Sequence, residues 1–268
     1  HSEPFEQFVS RYGKRRAQIE PMLRRFGPEE LRQWVHELGI ETFVGTSGRV
    51  FPVEMKASPL LRAWLKQLTD SGVTFHLRHK WSGWTSNKWL RFESPDGENT
   101  TQADAVVLAL GGGSWSRLGS DGAWVPLLEQ AGAHVEPLKP SNCGFDVNWT
   151  PHFRERFDGH PVKSVVLSFG EFHQQGEFII TKEGVEGSLI YSASAMLRDE
   201  IYAKGKAIIS LDLNPDRTVA WLTEKLSKPR GARSTASHLE KTVGIRGVKA
   251  GLLRELISKE DFGNPERL

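Results

Sequence analysis

The stretch Asp104–Gly122, reading DAVVLALGGGSWSRLGSDG, constrains the fold of this chain more than any other. It opens with an uninterrupted apolar run, Ala105-Val106-Val107-Leu108-Ala109-Leu110. A short run rich in β-branched residues and stopped by glycines predicts a strand buried on both faces. Gly111, Gly112 and Gly113 follow; without Cβ atoms they let another backbone or a flat ligand come close. Ser120 and Asp121 are candidate N-caps for a helix over 121–131, marked by Trp124, Leu127, Leu128 and Ala131. Strand, glycine turn and helix is how open α/β sheets present a site at the carboxyl ends of their strands. A buried strand that ends in a tight turn and binds nothing has the same pattern, and both readings stay open.

Upstream, residues 4–38 read as two helices, with apolar stripes at Phe5, Phe8, Val9, Tyr12, at Met22, Leu23, Phe26, and at Leu31, Trp34, Val35, Leu38. Residues 42–53 read as extended, with Ser47-Gly48 as a hairpin turn. Ser58-Pro59 starts a helix that Gly72 closes. Val73, Phe75, Leu77, His79 and Trp81 alternate as a half-buried strand over 73–81. Trp89, Leu90 and Phe92 suggest a second strand, Asp96-Gly97 a turn, and 102–110 a third strand. After Pro137 the character changes. Runs at 164–169, 177–181, 188–191 and 207–213, joined by glycines, predict a mainly antiparallel second domain. From Thr218 the apolar spacing is helical. The expected division is 1–135 and 136–268, of α/β class (α+β overall).

With 268 residues, a net charge of +2 and 38% hydrophobic content, this is an ordinary globular composition that makes no strong electrostatic case for nucleic acid. Lys14-Arg15-Arg16 and Arg24-Arg25 read as solvated helix faces. The single cysteine, Cys143, excludes an internal disulfide framework and fits a reducing, cytoplasmic compartment. No apolar run reaches the ~18 residues of a membrane span. Asn99-Thr100-Thr101 matches a glycosylation acceptor, which has no force without a secretory signal. The chain begins at His1 and stops at Leu268, inside what reads as a helix start after Asn264-Pro265; an internal piece of a longer protein is the expectation.

Several constellations were weighed for chemistry. His76 and His79, three apart on a predicted strand, would point to opposite faces, so no metal site is expected. Gly112-Gly113-Ser114-Trp115-Ser116 departs from the nucleophile elbow G-x-S-x-G at Ser116, leaving a serine hydrolase as a distant alternative. Arg49, between a turn and Phe51, is either an anion-holding group or a surface hairpin arginine. Of nine tryptophans, Trp34 and Trp64 sit on apolar helix faces and read as core, which weakens the case for a flat-ligand surface. Thr181–Ser188 is a tight loop at a site or a plain hairpin connection. The basic run Lys228–Arg233, with Lys225, Lys241 and Arg246, leaves open a non-catalytic module that binds a polyanion; a solvated loop has the same composition.

The order of these parts carries a resemblance. Gly48-Arg49-Val50-Phe51-Pro52, Lys56-Ala57 before a helix, Ala109-Leu110-Gly111-Gly112, and Gly119-Ser120-Asp121-Gly122 recur in sequence, followed by Pro140–Phe145 and Glu186–Tyr191. In these motifs the chain resembles the NAD(P)/FAD-dependent oxidoreductases of the BaiN/YhiN-like flavoprotein family, and within it the bacterial subgroup from proteobacteria. The resemblance covers essentially the whole chain. It implies a partial FAD-binding Rossmann-like domain followed by an inserted, mainly antiparallel β domain with a helical C-terminal part. It implies FAD as cofactor, NAD(P)H as reductant and a small-molecule substrate. The family's N-terminal G-x-G-x-x-G segment and its C-terminal flavin-closing segment have no counterpart in these residues, so this piece alone is expected to hold FAD weakly and to be inactive. By similarity, Lys80 and Trp81 would lie beside the adenine and offer backbone hydrogen bonds. Ala109, Leu110, Gly111, Gly112 and Gly113 would approach the cofactor, with leucine where many relatives have threonine at position 110. Gly48, Arg49, Val50 and Phe51 would lie towards flavin and substrate. The resemblance names no acid, base or nucleophile.

Overall fold

The computed structural model describes residues 2–46, 48–258 and 261. Two compact units divide the chain, residues 1–102 and 103–268. This division follows backbone proximity, whereas the expected one at 135/136 followed the change of composition near Pro137. Every described strand pairing is antiparallel. No helix among the described residues is long and apolar enough to cross a membrane.

The first unit opens with α1 (Phe5–Ser10), a 3-10 turn, α2 (Arg16–Arg25) and α3 (Pro28–Glu37), so the segment read as two helices contains three α-helices. The basic clusters lie on exposed faces and are partly spent on acids of α1 and α2. Arg16 reaches Glu6 at 2.6 Å and Glu20 at 3.0 Å, and Arg24 reaches Glu20 at 2.5 Å. Hydrogen bonds from Arg16 and Arg24 hold the Glu20 carboxyl below its ordinary range. At the α2–α3 corner the Glu30 carboxylate accepts from the Gly27 N–H at 2.9 Å, which satisfies a donor left over at the helix start. Then come β1 (Thr42–Val44), β2 (Val50–Pro52) and α4 (Ser58–Asp70). The β1–β2 hairpin sets Phe43 opposite Phe51; the expected turn residue Ser47 lies outside the described residues. Trp34 of α3 meets Trp64 of α4 edge to face at 5.3 Å.

A meander follows, β3 (Lys80–Trp84), β4 (Leu90–Ser94) and β5 (Gly97–Thr101), in that spatial order. The strand expected over 73–81 is realised only from Lys80. Val73, Phe75 and Leu77 are exposed, and Arg78 has φ +58°, which interrupts an extended run. Alternation supplies the side chains of a strand, but no described strand pairs with residues 73–79. The third strand is β5, not 102–110.

The same constraint governs residues 105–110. Expected as a strand buried on both faces, they form no described strand, and Val107 is 89% exposed. A run of this composition becomes a buried strand only when partners on both edges satisfy its backbone. The helix expected over 121–131 is α5 (Val125–Gln130), shorter because Gly122 has φ +69°.

The core sits in the second unit. β6 (Phe145–Asp146), α6 (Pro151–Phe157), β7 (Pro161–Phe169), β8 (Phe172–Ile180) and β9 (Gly184–Glu186) lead into α7 (Ser188–Lys204) and β10 (Ser210–Asp212). The five strands form one sheet in the order β10-β7-β8-β9-β6. Thr181–Gly184 is the hairpin connection between β8 and β9. Residues 188–191, expected as a strand, are the first turn of α7. Leu189, Ala193 and Leu197 recur every four residues and are all nearly inaccessible, so the period is helical; four residues alone could not distinguish it. Three helices finish the unit: α8 (Val219–Leu226), α9 (Thr235–Val243) and α10 (Gly247–Leu256), as the helical spacing from Thr218 predicted. The helix start expected after Asn264-Pro265 lies outside the described residues.

Two polar contacts tie α10 down. The Glu255 carboxylate accepts from the Thr150 N–H at 2.8 Å and from its hydroxyl at 2.7 Å, at the start of α6. The Lys249 ammonium donates to the carbonyls of Ser164 (3.1 Å) and Leu213 (2.6 Å), catching the β7 backbone at its irregularity between Val162 and Val165. Burial pushes the Lys249 pKa down, and the carboxylates of Asp212 and Asp216 partly offset this.

Gly251 marks a close approach of α10 to α6. A Cβ there would lie 2.6 Å from Phe157 Cε2 and 2.9 Å from Phe153 Cε2. Helix propensity favours Gly251→Ala by about 1 kcal/mol, whereas overpacking a well-filled core costs about 1–3 kcal/mol. The expected net result is a loss of about 1 kcal/mol in urea denaturation, since both rings are buried. Unchanged or raised stability would contradict this packing.

Candidate functional site

The glycine turn is a loop closed on itself by backbone hydrogen bonds. Trp115 and Ser120 exchange N–H···O bonds of 2.9 and 3.1 Å, and the Gly122 N–H donates to the Gly112 carbonyl at 3.0 Å. Gly111 has φ +74°, a left-handed conformation that side chains resist. The Trp124 indole N–H donates back to the Gly111 carbonyl at 3.1 Å. Leu138 packs on the loop so closely that a Cβ at Gly113 or Gly122 would meet its Cδ1 at 3.1 or 3.2 Å. Asp121, a candidate N-cap, instead accepts from the Ala123 N–H at 3.0 Å, one turn ahead of α5. Ala109, Leu110, Gly111, Gly112 and Gly113 therefore form a contiguous backbone strip, mostly accessible, leading into a fixed turn. Ser114 has no histidine hydrogen-bonded to it among the described residues, so the local geometry offers no activated serine.

In the first unit, Gly48, Arg49, Val50 and Phe51 sit on the β1–β2 hairpin, closed by Gly45 N–H to the Arg49 carbonyl at 2.8 Å. Val50 and Phe51 line a cavity of about 360 Å³, walled also by residues of α1, α2, α3 and α4. Arg49 does not line it; Arg32 of α3 and Thr42 of β1 do. The Arg32 Nε–H donates to Thr42 Oγ1 at 2.9 Å, and the same oxygen lies 2.7 Å from His36 Nε2. Sequence reasoning chose Arg49 because of its place in the hairpin motif. It missed Arg32, whose signal was a cation between Leu31 and Val35 on an otherwise apolar helix stripe.

Lys80 and Trp81 lie on β3, an edge strand of the meander, so alternate backbone groups point away from β4. Lys80 is exposed; Trp81 is buried and meets Trp84 edge to face at 4.7 Å. Among the described residues the buried indole Nε1 of Trp81 has no hydrogen-bond acceptor, and neither has the buried Nε of Arg91 on β4. Arg91 spends a terminal nitrogen on the Ser82 carbonyl at 3.0 Å. The His76 and His79 rings, expected on opposite faces, are instead in edge contact at 5.4 Å, because the segment is not a strand and turns at Arg78. Among the described residues no group of three or more His, Cys, Asp or Glu side chains could hold a metal ion.

Of the expected site residues, Gly48 to Phe51, Lys80 and Trp81 belong to the first unit and Ala109 to Gly113 to the second. A comparison with models of protein families matches residues 1–250 to the model described as HI0933-like protein Rossmann domain. No curated protein matches the chain significantly.

The loop geometry has a direct check. Trp124→Phe keeps the ring and deletes the bond to Gly111, at an expected cost of about 1 kcal/mol. Hydrogen exchange at residues 111–122 should accelerate while the β7–β8 amides stay protected. Equal exchange in parent and variant would show that the indole does not hold the turn.

Proposed function

The chain belongs to the HI0933-like family, FAD-binding Rossmann flavoproteins of oxidoreductase type, and on that premise we propose a specific role for it. It serves an enzyme that draws hydride from NADH or NADPH and delivers it, by way of FAD, to a small organic substrate. When bound, FAD would supply the redox chemistry, accepting and releasing the electron pair.

The chain's own residues have binding and shielding to do. The observation that carries the reading is the Trp81 indole N–H, buried and without an acceptor among the described residues. A donor in that state costs about 1–3 kcal/mol, which a ligand acceptor would recover. Its neighbours on the open edge of β3 offer further backbone groups. The glycine strip 111–113 supports the same reading, because backbone without side chains lets a flat ring system approach. The hairpin residues Val50 and Phe51 line an apolar wall that would keep water from a reacting centre. The single Cys143 supports a reducing, cytoplasmic setting. Of the basic residues weighed for a polyanion, three have an acidic neighbour: Arg246 lies 3.8 Å from Glu240, and Lys225 and Lys228 each lie 3.7 Å from Glu224.

Two measurements on protein expressed from the complete gene test this. Trp81→Phe should leave apo stability equal or higher, since it removes an unsatisfied donor, yet weaken FAD binding by about tenfold. FAD affinity unchanged by the substitution would detach Trp81 from the cofactor. Under anaerobic titration with NADH and with NADPH, one of them should bleach the flavin bands. Bound flavin that neither reduces would end the nicotinamide part of the reading.

A further inference from the structure

We propose that the cavity of the first unit binds a small apolar monocarboxylate, with Arg32 as the group that takes its carboxylate. That the occupant is the enzyme's substrate rests on the oxidoreductase reading above; that it binds does not.

The cavity's size and lining set the class. About 360 Å³ lies within the range of small-molecule sites. Phe8, Phe26 and Phe51 supply aromatic wall, and Leu23, Leu31 and Leu60 aliphatic wall. Among its lining residues Arg32 is the one charged group, and no acid is present. An apolar body with a single negative charge matches this lining. A second carboxylate would be buried against hydrocarbon without a cation, and a phosphate dianion would find one cation where it needs more.

Arg32 differs from Arg11, Arg16 and Arg24. Arg11 pairs with Glu3, and Arg16 and Arg24 with Glu6 and Glu20. Arg32 is half-buried and has no carboxylate partner among the described residues. Its Nε–H is spent on Thr42, which fixes the guanidinium plane and leaves the terminal nitrogens as donors. Thr42 is itself held by His36, so the orientation is supported on two sides. A guanidinium half-buried on an apolar wall and held at one nitrogen is prepared for a planar anion, which two parallel N–H···O bonds can grip.

The test is calorimetric titration of the purified chain with 3-phenylpropanoate, its neutral amide, and 3-phenylpropylamine. The acid should bind, the amide about tenfold more weakly, and the amine not at all. Arg32→Gln should weaken the acid by about tenfold and leave the amide unchanged, with Arg32→Lys in between. Val50→Trp fills the cavity and should abolish both acid and amide binding, which keeps the proposal testable if the Arg32 variants fold poorly. Equal affinities for acid and amide, an Arg32→Gln chain that binds the acid as tightly as the parent, or no binding by folded protein would each overturn the site. None of these outcomes depends on flavin. A protein that binds the acid but whose flavin NADH and NADPH leave oxidised keeps the site and loses the redox reading.

Discussion

A β-strand exists only where another strand takes up its backbone hydrogen bonds, and that constraint decides where this chain is ordered into sheet. The pairing of β7 with β8, from Pro161 opposite Ile179 to Phe169 opposite Phe172, is its fullest expression. Val162, Val165, Leu167, Phe178 and Ile180 are buried on the face that this hairpin presents. Against it α7 lays Leu189, Ile190, Ala193 and Leu197, and α6 and α10 complete the cluster through Phe153, Phe157 and Leu252. A second, smaller cluster around Leu226, Leu239 and Val243 joins the last three helices. Among the described residues of the first unit the buried apolar side chains are few, Val9, Val35, Trp81 and Leu90, and its strands are short.

The same constraint explains what could be read in the sequence and what could not. Helices were legible because their hydrogen bonds are internal: the stripes of α2, α3 and α4 and the run from Thr218 appear where the spacing put them. Hairpins were legible where a turn residue marked them, as at Asp96-Gly97 between β4 and β5. Residues 73–79 and 105–110 were not, because composition states what a strand would bury and says nothing of whether a neighbour is there to pair with it. The exposure of Val107 and Leu77 is the direct consequence. Residues 188–191 failed for a different reason. Four apolar residues fit either period, and Ala193 and Leu197 further along decide for a helix.

The candidate site was legible as motifs and not as geometry. The ordered glycine and hairpin motifs pointed to a flavoprotein, and the family match over residues 1–250 agrees. The motif could not show that Trp81 would hold a buried donor without an acceptor, nor that Arg32 rather than Arg49 would stand on the cavity wall. Both follow from packing between elements, which local sequence does not encode. Among the described residues Trp81 holds a buried donor without an acceptor and Arg32 a half-buried guanidinium without a carboxylate partner, both in the unit with the thinner core. Such groups are costly unless something binds to them.

The central claim is that the protein carries FAD. Its most direct test is to purify the protein expressed from the complete gene, denature it, and identify any released cofactor by mass spectrometry and absorbance. The account predicts FAD, at about one per chain when saturated. Protein that is well folded, has been offered FAD, and still releases none would contradict it.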